Sequence, residues 1–228
     1  ACTSATLIFG VAVGGTIRGL PLDARHVFRG DLIDLFHPYA LLVGVLACVG
    51  LAQFTLYTTW VLYTTFKFGW GPTENGWSLF AVGMMAVIVQ GGLLRQFEKF
   101  MPTHKLAAIG LVSSTIAFAA WGAVPEGWMM YVVIVLNLFG FMVQPGLQSV
   151  VSNAVDPSRQ GESMGAVSSI NSVAAVAGPL LGSPLLAAVS HYPQGDWRVG
   201  APLYLCAAIQ AVAAYIGIRY FLRSGKFA

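Results

Sequence analysis

Polar side chains that recur inside long apolar segments are the residues of this chain best placed to do chemistry. Gln53, Tyr57 and Trp60 follow one another at i, i+4 and i+7, so a helix would present them on one face. Asn137 and Gln144, seven residues apart, share a face of another segment in the same way. Amide, phenol and indole groups bind by hydrogen bonding and stacking, so these residues predict noncovalent binding rather than bond chemistry.

An unpaired amide in lipid is costly, so these side chains must face a cavity or another helix. One interpretation is an aromatic-walled pocket for a substrate. The alternative is a set of interhelical hydrogen bonds that only hold a bundle together. The predicted substrate-binding residues are Gln53, Tyr57, Trp60, Gln90, Asn137, Gln144 and Asn171.

Signals for an enzyme, a metal site or a nucleic-acid interface are absent from the sequence. There is no nucleophile–His–acid set, phosphate-binding loop, GxGxxG or CxxC motif, and the three cysteines lack metal-ligand spacing. The net charge of +3 is small and scattered, which excludes nucleic acid as a partner. We therefore predict no catalytic residue, no metal and no cofactor, and we place His104 and His191 in loops.

Acidic residues are scarce, and none lies deep in an apolar segment. The chain has nine Asp and Glu residues in total. Membrane proteins that move protons usually bury an Asp, Glu or His within a span. This chain is therefore expected to lack the proton relay of a transporter.

Composition identifies the elements that must position the polar residues. The chain is 57% hydrophobic and 9% charged, with a mean hydropathy of +0.72, which is typical of a polytopic all-α membrane protein. A partial helix at about 5–17 and a polar loop at 18–38 come first. The six predicted membrane helices cover about 39–66, 77–94, 106–124, 128–152, 163–190 and 201–222.

Turn residues and charges separate these helices. Residues 69–75 predict a turn in which Thr73 or Asn75 caps the next helix. A charged loop is expected at 95–105. Near the start of the fifth helix, Asp156, Arg159 and Gly161 mark a cytoplasmic loop.

Glycine and proline are predicted to interrupt the fifth helix. Gly178, Pro179 and Gly182 lie in its second half, and Pro179 lacks the N–H that a continuous helix needs. The break would either shape gating or serve only as a packing kink.

The basic residues predict orientation. Across the six helices, seven Lys and Arg residues fall on one side and two on the other, which is a clear positive-inside bias. The C-terminus is therefore expected to be cytoplasmic, in a bacterial inner membrane. The majority side carries Arg95, Lys99, Lys105, Arg159, Arg219, Arg223 and Lys226, and the other side carries Lys67 and Arg198.

From about residue 50 to 222 the chain resembles the C-terminal half of a drug:proton antiporter of the major facilitator superfamily, closest to its tetracycline-efflux-like branch. The resemblance implies export of a small amphipathic drug coupled to proton entry, with the proton gradient as energy source. It also implies that the acidic coupling residues belong mainly to an N-terminal half, which is expected to be missing here. Pairing of the bundle with a second copy of itself is the alternative way to complete a transporter. The stretches that carry it are 50–54, 68–70, 76–79, 147–149, 156–161 and 178–182.

From about residue 5 to 47 the chain resembles subunit II of the cytochrome bd quinol oxidases. This family usually has Gly-Asn where this chain has Gly14-Gly15, and Asn-Pro where it has His37-Pro38. Haem would be relevant only here, beside a haem-bearing partner, and no haem ligand is carried over. The supporting stretches are 9–12, 18–23, 28–30, 34–36 and 38–44.

The sequence thus predicts two domains, 1–38 from the oxidase-like segment and 39–228 as a six-helix transporter half-bundle. The leading function is proton-coupled efflux of a tetracycline-like drug. A structural subunit of a quinol oxidase and an inactive hybrid fragment are the alternatives.

Overall fold

A computed structural model describes residues 40–155, 160–193 and 196–223, and residues 41–228 group as one compact unit. The predicted partial helix, the polar loop and the boundary at residue 38 lie outside the described residues. Six helices in the described part are long and apolar enough to cross a membrane, which confirms the all-α prediction. They are α1 Ala40–Phe68, α2 Pro72–Phe100, α3 Thr103–Ala123, α4 Gly127–Asn153, α5 Gln160–Val189 and α6 Ala201–Arg223.

The turn between α1 and α2 is shorter than the sequence predicts, and neither Thr73 nor Asn75 is the cap. Gly69 follows the last residue of α1 and has a φ of 68°, a backbone conformation that glycine adopts without strain. Helix α2 begins at Pro72. Glu74 accepts a hydrogen bond from the Gly71 N–H at 2.9 Å and so supplies the capping acceptor. Asn75 lies one turn inside α2, where it accepts from the Thr64 hydroxyl at 2.6 Å.

The predicted charged loop at 95–105 is mostly helix, because α2 continues to Phe100. Only Met101 and Pro102 separate α2 from α3, and His104 lies in the first turn of α3 rather than in a loop. Within α2, Val89–Leu93 forms one π-helical turn around Gly91 and Gly92. The charged residues therefore did not mark the end of α2. The helix ends just before Pro102.

The clearest change of helix type lies in α4, not in α5. Asn137–Met142 is a 3₁₀ segment, and an α-helix resumes at Val143. Pro145 has no N–H to give to the carbonyl four residues earlier, which favours a tighter turn before it. Helix α5 instead runs from Gln160 to Val189 as one α-helix with Pro179 and Pro184 inside it, so the helix is not broken there, and the kink at Pro179 stays a prediction.

Glycine in α5 serves contact with α1. A Cβ on Gly178 would lie 2.8 Å from the backbone of Phe54 and Thr55, and one on Gly182 would lie 2.5 Å from the Thr59 methyl group. Such close approach of two helix backbones requires the small side chain.

Two apolar clusters hold the bundle at its two ends. One gathers residues such as Val45, Leu111 and Leu147 around the beginnings of α1 and α3. The other gathers Leu56, Phe118 and their neighbours around the ends of the same helices.

Candidate functional site

A cavity of about 490 Å³ lies among α1 to α5. All seven predicted substrate-binding residues line it, so the polar faces of four different helices converge on one space. Trp60 and Asn137 are buried, Gln53, Gln144 and Asn171 are half-buried, and Tyr57 and Gln90 are exposed. The lining is Gly50, Gln53, Phe54, Leu56, Tyr57, Trp60, Leu79, Val82, Ala86, Gln90, Ser114, Phe118, Trp121, Asn137, Gly140, Phe141, Gln144 and Asn171.

Aromatic rings form one wall of the cavity. Trp60 meets Trp121 edge-on with ring centroids 5.1 Å apart, and Phe118 stacks on Trp121 at 5.8 Å. The Trp60 indole donates to Ser78 Oγ at 3.0 Å, and the Trp121 indole donates to the Met130 carbonyl at 3.3 Å. Both indole N–H groups are thereby engaged inside the protein, and the three rings, which are 2–4% exposed, pack closely together in this wall.

Amide groups occupy the other walls. Asn137 accepts a hydrogen bond from the Ser113 hydroxyl at 3.3 Å, and its side chain packs against Gly140. Asn171 packs against α1 at Gly50. A Cβ added to Gly50 would lie 3.1 Å from Oδ1 of Asn171. Gln144 Oε1 is buried and has no hydrogen-bond partner among the described residues. The site therefore holds a buried acceptor that forms no hydrogen bond among the described residues.

Ser114, Phe118 and Trp121 are lining residues that the sequence interpretation missed. They recur at i, i+4 and i+7, the same spacing that identified Gln53, Tyr57 and Trp60 on α1. That spacing was the available signal, and the mostly apolar composition of α3 hid it. In contrast, Gln148 and the serines of α5 do not line the cavity, and Ser169 and Ser172 donate to the backbone of their own helix.

The cavity is uncharged. None of its lining residues is acidic, basic or a histidine, and within the described ranges no three His, Cys, Asp or Glu side chains cluster as metal ligands would. The arrangement can stack against a planar molecule and exchange hydrogen bonds with it. Its two lining hydroxyls, those of Tyr57 and Ser114, have no acidic or basic residue beside them on the lining.

Lys67, predicted as a loop charge, is buried at the far end of α1. Its ammonium donates to the Gly122 carbonyl at 2.6 Å and lies 5.4 Å from the centre of the Tyr63 ring. Tyr63 donates to the Trp121 carbonyl at 2.6 Å. These carbonyls are at the C-terminal, partially negative end of α3, where a cation is stabilising.

The other predicted site residues lie apart from the cavity. Gly178 and Gly182 belong to the contact between α5 and α1, and Pro179 follows Gly178 in α5. Gly161 is exposed with open space around it. Asp156 and Arg159 lie outside the described residues. The gating and loop roles therefore stay predictions.

Residues 36–227 match the family described as the Major Facilitator Superfamily. Among curated proteins, the chain is 29% identical to the class D tetracycline resistance protein of Salmonella ordonez over 90% of this chain and 52% of that protein. It is 28% identical to the class G protein of Vibrio anguillarum over 84% of this chain and 49% of that protein. The class B protein of Escherichia coli is 30% identical over 54% of this chain and 31% of its own length.

The chain thus spans about half the length of these relatives. The six apolar helices make it a multi-pass membrane protein. With the family match across most of its length, the chain belongs to the major facilitator superfamily.

Proposed function

We propose that this chain supplies half of a transporter that exports a small, planar, amphipathic drug of the tetracycline type. The observation that carries the proposal is the convergence of Gln53, Asn137 and the other predicted residues on one uncharged, aromatic-walled cavity. The similarity to tetracycline resistance proteins supports the choice of substrate.

In this proposal the rings of Trp60, Trp121 and Phe118 hold the apolar face of the drug. The amides of Gln144 and Asn137 engage its polar edge. Binding of a mixed molecule needs both surfaces, because an apolar wall alone leaves the drug's polar groups unpaired. The energy comes from the proton gradient, with no cofactor and no enzymatic step. Because the described cavity carries no acid, we assign proton coupling to residues outside it.

The test combines Gln53→Ala with Asn137→Ala in an assembly that exports tetracycline. We expect export to fall to background while the amount of protein in the membrane stays normal. The control is Gln148→Ala with Ser169→Ala, two polar residues of α4 and α5 that do not line the cavity. Normal export by the cavity variant would refute the pocket assignment.

We propose that a second six-helix bundle covers α2 and α5, either an N-terminal half or another copy of this chain. In these two helices only 11% and 22% of the central residues are buried, against 39–56% in the other four. Val176 on α5 and Val87 on α2 are 67% and 68% exposed. A cysteine at Val176 should crosslink to the partner bundle, whereas one at Val112 on α3 should not.

The resemblance of residues 5–47 to an oxidase subunit stays a separate prediction, since most of this stretch lies outside the described residues. If that role holds, the purified chain should carry haem absorbance from a bound partner. A colourless preparation would count against it. If the bundle is inactive without its second half, the 228-residue chain alone will show no saturable uptake.

A further inference from the structure

Gln210, on α6, is a buried amide behind the cavity wall. Its side chain is 2% exposed, and its Nε2 donates to Ser114 Oγ over 2.7 Å. Its Oε1 is also buried but has no hydrogen-bond partner among the described residues. Burying an amide whose oxygen has no hydrogen-bond partner costs free energy, so such a group in a protein interior usually has a specific role.

The hydroxyl of Ser114 shows which way the amide points. Ser114 Oγ lies 2.9 Å from the Gly110 carbonyl and 3.1 Å from the Leu111 carbonyl, so its single hydrogen is directed to the backbone of α3. The group that faces Ser114 from α6 must then be a donor, which places Nε2 of Gln210 there. A hydroxyl has two lone pairs, and Gln210 occupies one of them.

Ser114 is a lining residue of the cavity, and its hydroxyl oxygen accepts no hydrogen bond other than that from Gln210 among the described residues. The α3 carbonyls hold this hydroxyl in an accepting state, and the hydrogen bond that it receives from Gln210 strengthens it as an acceptor. Gln144 is another lining residue, and its buried Oε1 also has no hydrogen-bond partner among the described residues. None of these three residues is charged.

Building on the proposed function, we propose that Gln210 is a positioning residue that sets the specificity of the cavity. Through Ser114 it selects planar molecules that present a hydroxyl or amide N–H to the wall, over molecules of the same shape that have no donor. Gln210 itself does not touch the ligand.

The experiment measures binding to the purified chain through the fluorescence of the wall tryptophans. The probes are tetracycline, the planar phenol resveratrol, and the trimethyl ether of resveratrol, which has the same rings without a donor. Gln210→Met keeps the size of the side chain and removes its N–H. Ser114→Ala removes the acceptor itself and tests the same contact if Gln210→Met does not fold. Gln148→Met is the matched control, since Gln148 does not line the cavity.

We expect Gln210→Met to raise the Kd of resveratrol about twofold, because the substitution weakens the Ser114 acceptor without removing it, and to leave the Kd of the ether unchanged. In the Ser114→Ala background, Gln210→Met should have no further effect. Equal changes for phenol and ether, additive effects of the two substitutions, or no change at all would each overturn the inference.

Failure of the proposed function gives a different pattern. If resveratrol binds in a Gln210-dependent way and tetracycline does not bind, the tetracycline proposal fails and the inference stands. If tetracycline binds equally well to the wild-type and Gln210→Met chains, the function stands and the inference fails. A wild-type chain that binds no probe contradicts both.

Discussion

Individual residues in this bundle have their roles set by what faces them across the helix contacts. Tyr57 and Tyr63 are on the same helix, yet Tyr57 is 57% exposed at the cavity and Tyr63 is fully buried. The buried phenol donates to the Trp121 carbonyl, and its neighbour Lys67 donates to the Gly122 carbonyl. Together they satisfy the C-terminal carbonyls of α3, a task that the type of residue alone does not reveal.

The pair of tyrosines gives a test at this scale. Tyr63→Phe should lower the free energy of unfolding by about 1–2 kcal/mol, because a buried carbonyl loses its short hydrogen bond. Tyr57→Phe should change it little, since the Tyr57 side chain is exposed. Denaturant titration of both variants in detergent micelles measures the difference. Equal stability of the two variants would show that the bond to Trp121 contributes nothing.

The conformation and packing of helices α4 and α5 depend on their glycine and proline residues, and the sequence alone predicts these effects only in part. Proline is found inside α5 without interrupting it, while α4 changes to a 3₁₀ segment just before Pro145. Because Asn137 begins that segment and lines the cavity, the change of helix type helps to direct this predicted binding residue toward the cavity. The glycines of α5 matter because α1 passes close to them.

Helix α5 contains one glycine in close contact with α1 and one without a close neighbour, and the two can be compared by substitution. Gly178→Ala should cost about 1–3 kcal/mol of stability, because the new methyl group would lie 2.8 Å from the α1 backbone. Gly165→Ala, where no atom lies within 4 Å, should be neutral or stabilise by up to about 1 kcal/mol. Thermal unfolding of the two variants decides the matter. A neutral Gly178→Ala would mean that α1 and α5 are not in close contact.

The whole molecule combines an enclosed set of helices with two that are mostly uncovered. Helices α1, α3, α4 and α6 bury their faces within the bundle, and α2 and α5 expose theirs. Under the proposed function, such a bundle forms one side of a transport pathway and a second bundle forms the other. The exposure of α2 and α5 is the observation on which that proposal rests.

Orientation is testable at this scale. We expect Pro102→Cys, in the break between α2 and α3, to resist a membrane-impermeant maleimide added to intact cells, because the excess of basic residues places this end inside. Pro125→Cys, at the other end of α3, should react. Both are exposed positions, and the native cysteines are replaced in both backgrounds. The reverse labelling pattern would overturn the orientation.

Hydropathy alone determined the number, order and approximate bounds of the helices, because a span needs about 20 apolar residues wherever it packs. Helical spacing also identified polar residues that face a common space, such as Gln53 and Asn137, since period and burial follow from local geometry. The sequence left open which helices meet. Only the tertiary structure brought Ser114 and Gln210 together, 96 residues apart, and put the Gly122 carbonyl within reach of Lys67. Such contacts depend on how helices pack through space, and no local pattern encodes them.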